Sequence, residues 1–463
     1  MSVVEAGAAP YADDALLPGS EAGRRRRAQF ALFILRAAVP FFPVAAVLTA
    51  SDASVATPAV LILATGWFIA LRRMFSSAWL SPLALGIPII AALGALSGLA
   101  MMSGFAYWLP GDDVSPLELS LMAAAVYVAS AAAESIARRT GLVYPRVLIV
   151  GAGNGGVQLA EELYGNPDLP FRCLGLLVED GEDWTSETVR VLGATDDVED
   201  LLELWEPDIA VLASGENGKT VSAVLDGEEN GIRLLSLPHF YEHVFGRVPI
   251  HTLSPTWFMS LVHLSKRPYP RITKRVFDLV VVSVGLVLAS PLFLLGAILV
   301  RLSGPGPVFY RQWRLGERGR PFQMLKFRTM IDGAEPPDQA IWAVVGDPRV
   351  TRVGRIMRRT RLDELPQLWN VLIGEMSIVG PRPERTEFYE LLAGEIPYWT
   401  RRHLIKPGIT GWAQVCRGYT SNVGGAAEKL AYDLYYLKHQ SLLLDLAVTA
   451  KTTTTLLSGF GAR

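Results

Sequence analysis

The chain has 463 residues, of which 50% are hydrophobic and 19% charged. Soluble domains carry about 25% charge, so this composition leans toward lipid and excludes a disordered chain, a fibre or a secreted disulfide scaffold. The net charge of −2 hides a division: 26 Lys+Arg against 16 Asp+Glu from residue 271 onward, and 17 against 29 before it. The C-terminal part is therefore expected to meet phosphates or an anionic membrane face. Nucleic acid is not expected, because the basic residues are tied to an apolar hairpin. Cys173 and Cys416 match no zinc or redox spacing and suit a reduced, cytoplasm-facing protein.

Residues 29–50, 55–71, 79–102 and 117–137 are long and apolar, each about the 20 residues that a bilayer-spanning helix requires. Four of them predict a membrane region over 29–140 behind a cytoplasmic tail, 1–28. Basic residues at 24–27, 72–73 and 138–139 flank alternate ends, whereas the intervening loops carry Asp52, Asp112 and Asp113. The positive-inside rule then puts the N-terminus and everything after residue 140 in the cytoplasm.

From Pro145 the pattern changes. A short apolar strand over 146–150 runs into Gly151, Gly153, Gly155 and Gly156 and then a helical pattern over 157–164. Strand, glycine turn and helix form the context of a dinucleotide fingerprint. Further strands over 173–178, 208–213 and 233–236 predict a doubly wound, Rossmann-like α/β domain over 141–250, with a linker over 251–270. Gly151, Gly153 and Gly156 are the candidate cofactor-binding residues. They could equally just shape the turn, leaving the domain a regulatory or oligomerising role. No Tyr-x-x-x-Lys follows, so dehydrogenase chemistry lacks a base.

A fifth apolar stretch, 276–300, has Lys274 and Arg275 before it, Arg301 after it, and Ser290-Pro291 in its middle. Basic charge at both ends places both on one side, and proline breaks the helical ladder. The pattern predicts a re-entrant helix in which the serine or its neighbours satisfy the freed backbone groups; a kinked full span is the alternative.

Beyond it, Asp363 and Glu364 stand side by side among Arg352, Arg355, Arg358, Arg359 and Arg361, followed by Pro366. Proline is tolerated in a helix's first turn, so the carboxylates should lie near a helix N-terminus, held ionised by the arginines and the dipole. An ionised aspartate is a competent nucleophile toward phosphorus. A neighbouring glutamate can hold Mg²⁺, and arginines can clamp a diphosphate. These parts suffice for phosphoryl transfer. A capping or surface ion-pair role is the plainer alternative, and the arginine strip also suits an amphipathic helix at the membrane interface.

The stretch 274–463 closely resembles the bacterial sugar transferases, the polyprenyl-phosphate hexose-1-phosphate transferases. The resemblance rests on Lys274-Arg-x-Phe-Asp278, Ser290-Pro291, Lys326-Phe-Arg-Thr-Met330, Leu362-Asp-Glu-Leu-Pro366, Gly380-Pro-Arg-Pro-Glu384 and Lys406-Pro-Gly-Ile-Thr-Gly-Trp-Ala-Gln414. It implies a mostly α transferase domain over 271–463, with a re-entrant membrane helix. It also implies an enzyme of the bacterial inner membrane, with its catalytic domain facing the cytoplasm. In that chemistry Asp363 attacks the sugar-linked phosphate of a UDP-hexose, UMP leaves, and undecaprenyl phosphate takes the sugar phosphate. This would start exopolysaccharide or O-antigen repeats. Glu364 matches the carboxylate associated with Mg²⁺, and Asp363 is the second candidate ligand. Arg358 and Arg382 match phosphate-contacting positions, and Lys326, Arg328 and Arg385 join them by charge and motif. Undecaprenyl phosphate, the UDP-hexose, membrane lipid and a second copy of the chain are the expected partners. Two rivals are a membrane-anchored NAD-dependent nucleotide-sugar dehydratase or epimerase and a non-catalytic assembly scaffold.

Overall fold

The computed structural model describes residues 115–139, 144–166, 171–179, 189–213, 232–253, 271–334, 347–417 and 423–458, with isolated positions elsewhere. The tail 1–28 lies outside the described residues. So, apart from isolated positions, do the apolar stretches 29–50, 55–71 and 79–102 and most of the 251–270 segment. Two compact units, 1–244 and 245–463, make up the chain.

The first unit contains α1, Pro116–Arg139. Ser115 and Glu118 form a reciprocal capping box: Glu118 N donates to Ser115 Oγ (3.2 Å) and Ser115 N to Glu118 Oε2 (2.8 Å). The helix exposes Leu117, Leu121, Val128 and Ile136, and Leu117–Ile136 is apolar and long enough to cross a membrane. A soluble core helix would hide such residues.

The rest of this unit is a parallel α/β layer. Strands β1 (Arg146–Val150), β2 (Arg172–Val178), β3 (Val191–Ala194), β4 (Ile209–Leu212) and β5 (Arg233–Ser236) form one sheet. Its order is β3-β2-β1-β4-β5, and every pairing is parallel. This is the doubly wound arrangement expected from the sequence, plus one edge strand, β3, that it does not announce. Val-Leu-Gly-Ala is too short and too weakly apolar to show a period. Helices α2 (Gly153–Tyr164), α3 (Val198–Trp205) and α4 (Leu237–Val244) accompany the sheet, and Leu148, Val150, Leu174, Leu177, Leu202 and Trp205 fill its core. Helix α2 begins at Gly153, four residues earlier than its apolar pattern. Gly151 has φ +96°, and a Cβ on Gly156 would meet Gly151 O at 2.2 Å and Ala213 at 2.9 Å. The fold itself therefore requires these glycines, whatever else they do.

In the second unit, α5 (Arg271–Leu302) is an unbroken helical stretch of 32 residues with Pro291 inside. At 1.5 Å per residue it would be about 48 Å long if straight. The antiparallel pair β6 (Phe309–Leu315) and β7 (Pro321–Phe327) follows. Then come α6 (Arg352–Arg359), a 3-10 turn at Leu362–Glu364, and α7 (Gln367–Ile373). Two short strands, β8 (Ser377–Val379) and β9 (Gly408–Thr410), pair in parallel. Around them lie α8 (Thr386–Glu395), α9 (Trp412–Cys416), α10 (Val423–His439) and α11 (Leu442–Ser458).

One face of α5 packs on this unit along its length. Asp278 and Val282 are buried near one end, Gly296 and Val300 near the other. Val287 and Leu288 on the opposite face are each 73% exposed, and Val284 and Leu295 are exposed with them. Pro291 cannot donate to the carbonyl of Val287, and the Ser290 hydroxyl donates to it instead at 2.8 Å. The Ser-Pro pair thus carries its own repair of the helical ladder.

The same unit buries a histidine. His403 sits edge-on to Tyr389, 9% exposed, and its Nδ1 has no partner. Burial, with the neighbouring Arg402 charge, pushes its pKa down from 6.5 to about 4. The unfolded chain takes up that proton near pH 6.5, whereas the folded chain refuses it until about pH 4. Stability contributed by the neutral ring is therefore present above 6.5 and lost as pH falls through this window, by up to about 3 kcal/mol. Melting curves between pH 7.5 and 4.5 should fall less steeply for His403→Gln than for the wild type; equal slopes would refute the assignment.

Candidate active site

Helix α6 delivers the site from one side. Thr351 caps it, with Oγ1 accepting from Gly354 N at 2.8 Å. Val353 and Met357 turn inward onto Phe327 and Val300, while Arg352, Arg355, Ile356 and Arg359 are exposed. The helix is thus amphipathic, with its arginines on the outer face. Arg358 differs from the other arginines: it is half-buried, and its Nε donates to Thr329 Oγ1 at 2.9 Å.

Arg361 then adopts a left-handed conformation, φ +58°, uncommon for a residue with a Cβ. It reverses the chain into the turn that holds Asp363 and Glu364. Leu362 and Leu365 pack against the Val300–Phe327–Met357 cluster, and Pro366 caps α7. The carboxylates thus precede a helix, as the proline implied.

Glu364 is the centre of charge. Its Oε1 meets Arg382 at 3.0 Å, Lys326 at 3.4 Å and Arg361 at 3.6 Å. Burial alone would raise its pKa, but Arg382, Lys326 and Arg361 together hold it far below the usual carboxylate range. Asp363 is the opposite case. It is 7% exposed, and its Oδ1 has no hydrogen-bond partner. Burial raises its pKa, and the positive Lys326 and Arg358 only partly oppose this. The sequence led us to expect both carboxylates to be held ionised by arginine. The cations converge on Glu364, whereas at Asp363 burial works against Lys326, Arg358 and Arg361 and raises the pKa from its ordinary value.

Two supports were not evident from motif reading. Asn370, on α7, is 1% exposed. Its Oδ1 accepts from Leu325 N (3.0 Å), and its Nδ2 donates to Gln323 O and Glu375 Oε2 (2.8 Å each). It ties the helix following the carboxylates to the strand carrying Lys326. One polar residue inside Gln-Leu-Trp-Asn-Val-Leu-Ile was the available signal. Asn370→Leu strands a buried N–H and a buried C=O, and should cost about 2–4 kcal/mol, measurable as a lowered melting temperature in detergent. The second support is Arg402, whose NH2 donates to Arg382 O (3.0 Å) and pairs with buried Asp433 (2.7 Å). It fixes the loop that presents Arg382.

Of the expected phosphate-binding residues, Lys326, Arg358 and Arg382 gather around the carboxylates. Arg328 does not: its guanidinium donates to Pro305 O, to Gly304 O at 2.8 Å and to Val300 O at 3.5 Å, closing the end of α5. Arg385 pairs with Glu387 (3.3 Å) and lies over the ring of Phe388. Ser290 and Pro291 lie on α5, and Gly151, Gly153 and Gly156 belong to the other unit. Among the described residues no three His, Cys, Asp or Glu side chains are placed to hold a metal. The Asp363–Glu364 pair offers two carboxylates, one with an unpartnered oxygen.

Residues 269–459 match the family model described as bacterial sugar transferase. A UDP-N-acetylgalactosamine-undecaprenyl-phosphate N-acetylgalactosaminephosphotransferase of Aeromonas hydrophila is 43% identical over 222 residues, 48% of this chain and 52% of the relative. A UDP-glucose:undecaprenyl-phosphate glucose-1-phosphate transferase of Caulobacter vibrioides is 45% identical over 197 residues, 41% of this chain and 73% of the relative. One of the same description from Klebsiella pneumoniae is 32% identical over 315 residues, 67% of each chain. The chain thus spans about half of the first relative's length and two thirds or more of the other two.

Proposed function

We propose, from the premise that this chain belongs to the bacterial sugar transferase family, that it transfers a sugar 1-phosphate from a UDP-sugar to undecaprenyl phosphate. The observation that carries this reading is the asymmetric pair: a buried Asp363 with an unpartnered Oδ1 beside a Glu364 locked by three cations. A carboxylate oxygen without a hydrogen bond has none to shed before it attacks.

Asp363 Oδ1 attacks the sugar-linked phosphorus of the donor. A P–O bond forms, the bond from that phosphorus to the bridging oxygen breaks, and UMP leaves with its electron pair. An oxygen of undecaprenyl phosphate then attacks the same phosphorus, and the carboxylate is released. Lys326, Arg358, Arg361 and Arg382 against two carboxylates leave the cluster at +2, matching the two negative charges on a diphosphate diester. Asp363 and Glu364 are the residues that would hold a Mg²⁺ at this site. When bound, it would neutralise phosphate charge.

Membrane attachment follows from α5. Both of its ends pack on one globular unit while its outer face is bare and apolar. That favours a helix that enters and leaves the bilayer on one side, here the cytoplasmic face of the inner membrane. Cysteines placed at 271 and 302 should both react with a reagent confined to that side; reaction of only one would indicate a full span.

The relatives' names divide between N-acetylgalactosamine and glucose, so the donor is an open choice between them. Purified protein in detergent should release UMP from at least one of UDP-glucose and UDP-N-acetylgalactosamine, and only when undecaprenyl phosphate is present for turnover. With labelled donor and no acceptor, the label should reside on Asp363. Turnover without such an adduct would refute the covalent route, and no UMP from any UDP-sugar would refute the activity.

A further inference from the structure

A second basic site lies at the far end of the helix and strand that serve the carboxylates. The β6–β7 turn, the start of α5, the loop after α7 and Lys406 enclose a cavity of about 390 Å³. Arg271, Arg318, Arg320 and Lys406 line it, with Glu317, Glu375 and Phe322. Glu375 is engaged by Asn370 Nδ2. Among the described residues none of the four side chains has a hydrogen bond or ion pair.

Lys406 is not needed where it stands. Arg275 already donates to Val371 O and Leu372 O, both at 2.7 Å, and so closes the C-terminus of α7. Lys406 Nζ comes within 3.5 Å of where a Cβ on Gly374 would lie, beside that guanidinium rather than away from it. Arg318 holds a left-handed backbone, φ +57°, an unfavourable conformation at the tip of the turn. Four cations against the two carboxylates Glu317 and Glu375 leave the concavity at +2, a field that attracts a phosphate.

The place is distinct from the carboxylates. Phe322 and Lys326 are four positions apart on β7, about 14 Å of strand, and α7 spans the same gap with about 12 Å between Pro366 and Gly374. It is also close to the membrane. Arg271 is the first residue of α5, five positions before the apolar run at 276–300.

We propose that Arg271, Arg318, Arg320 and Lys406 form a second phosphate-binding site, which takes the phosphate of an anionic phospholipid headgroup or of a small soluble phosphate compound. The site does not depend on the transferase reading. It accounts for Lys406, which opens the longest of the C-terminal motifs yet lies away from the reacting groups.

Two probes separate the sources. Full-length protein in neutral detergent is offered phosphatidylglycerol and phosphatidylcholine together, and bound lipid is counted by native mass spectrometry. In parallel, lipid-free protein is titrated with inorganic pyrophosphate in a calorimeter. Arg318→Gln/Arg320→Gln, both on an exposed turn, and Lys406→Gln should each weaken the bound anion about tenfold or more, while Asp363→Asn leaves it in place. Phosphatidylglycerol adducts that vanish in these variants support a lipid headgroup. A pyrophosphate heat lost in them, without lipid preference, supports a soluble phosphate. Binding of neither probe, or binding that survives in both variants, overturns the proposal.

Discussion

Asp363→Asn should reduce UMP release by at least about 10³-fold, equivalent to some 4 kcal/mol of barrier, while leaving the protein as stable as the wild type or more so. The two halves of that result have one cause. Asp363 Oδ1 is buried without a partner, and burial raises the pKa of the group. Its ionised form is therefore unfavourable in the folded state, and a neutral isostere removes that penalty. The sign can be checked by titration. The folded state retains the Asp363 proton above the unfolded value of 3.8. Stability from this group is therefore present at low pH and lost as pH rises through the folded pKa. Asp363→Asn should flatten that limb. Activity needs the ionised form and should run the other way, falling on acidification. Glu364→Gln should do the reverse to stability. It leaves Lys326, Arg361 and Arg382 facing one another without the carboxylate that joins them, and should lower the melting temperature as well as the rate. A melting temperature that drops for Asp363→Asn and stays put for Glu364→Gln would reverse the assigned roles.

The chemistry-bearing motifs were readable because residue types alone constrain them: an Asp-Glu pair, a nearby proline and a run of arginines leave few arrangements. What the chain order does not say is which cation faces which carboxylate. Lys326 and Arg328 are two residues apart on one segment. Lys326 faces Glu364, whereas Arg328 is spent on the carbonyls of Val300, Gly304 and Pro305. Charge invites both into a phosphate site, and only the packing of the end of α5 separates them. The α/β domain reads clearly from its strand–glycine–helix opening, because apolar runs and glycine turns are local signals. Edge strand β3 is held by its pairing with β2, a long-range contact that four residues cannot encode. The upward pKa shift of Asp363 is hidden for a similar reason: sequence proximity counts arginines but not the burial that opposes them.

Asp445→Ala should cost the second unit about 3–5 kcal/mol, a fall of roughly 10 °C in melting temperature, although Asp445 is not assigned a part in the reaction. Its side chain is fully buried, with Oδ2 at 2.7 Å from Lys274 Nζ and Oδ1 at 2.5 Å from the Tyr436 hydroxyl. Lys274 also reaches Asp278 at 3.5 Å, and Asp278 accepts from Ser377 Oγ (3.0 Å) and Ile378 N (3.1 Å). Arg275, next in line, closes α7. The Lys274-Arg-x-Phe-Asp278 motif is therefore an anchor. It fastens the start of α5 to β8, α7, α10 and α11, and so fixes the helix against the frame that carries Glu364. Removing Asp445 alone leaves Lys274 with its more distant partner, and the Tyr436 hydroxyl with Val379 O at 3.1 Å. Removing both charges as Lys274→Met/Asp445→Leu should recover part of the loss, because an apolar pair avoids the desolvation that an ion pair must offset. A double variant no more stable than Asp445→Ala would place the loss in packing rather than in the unpaired cation. An Asp445→Ala protein with wild-type melting would remove the anchor altogether.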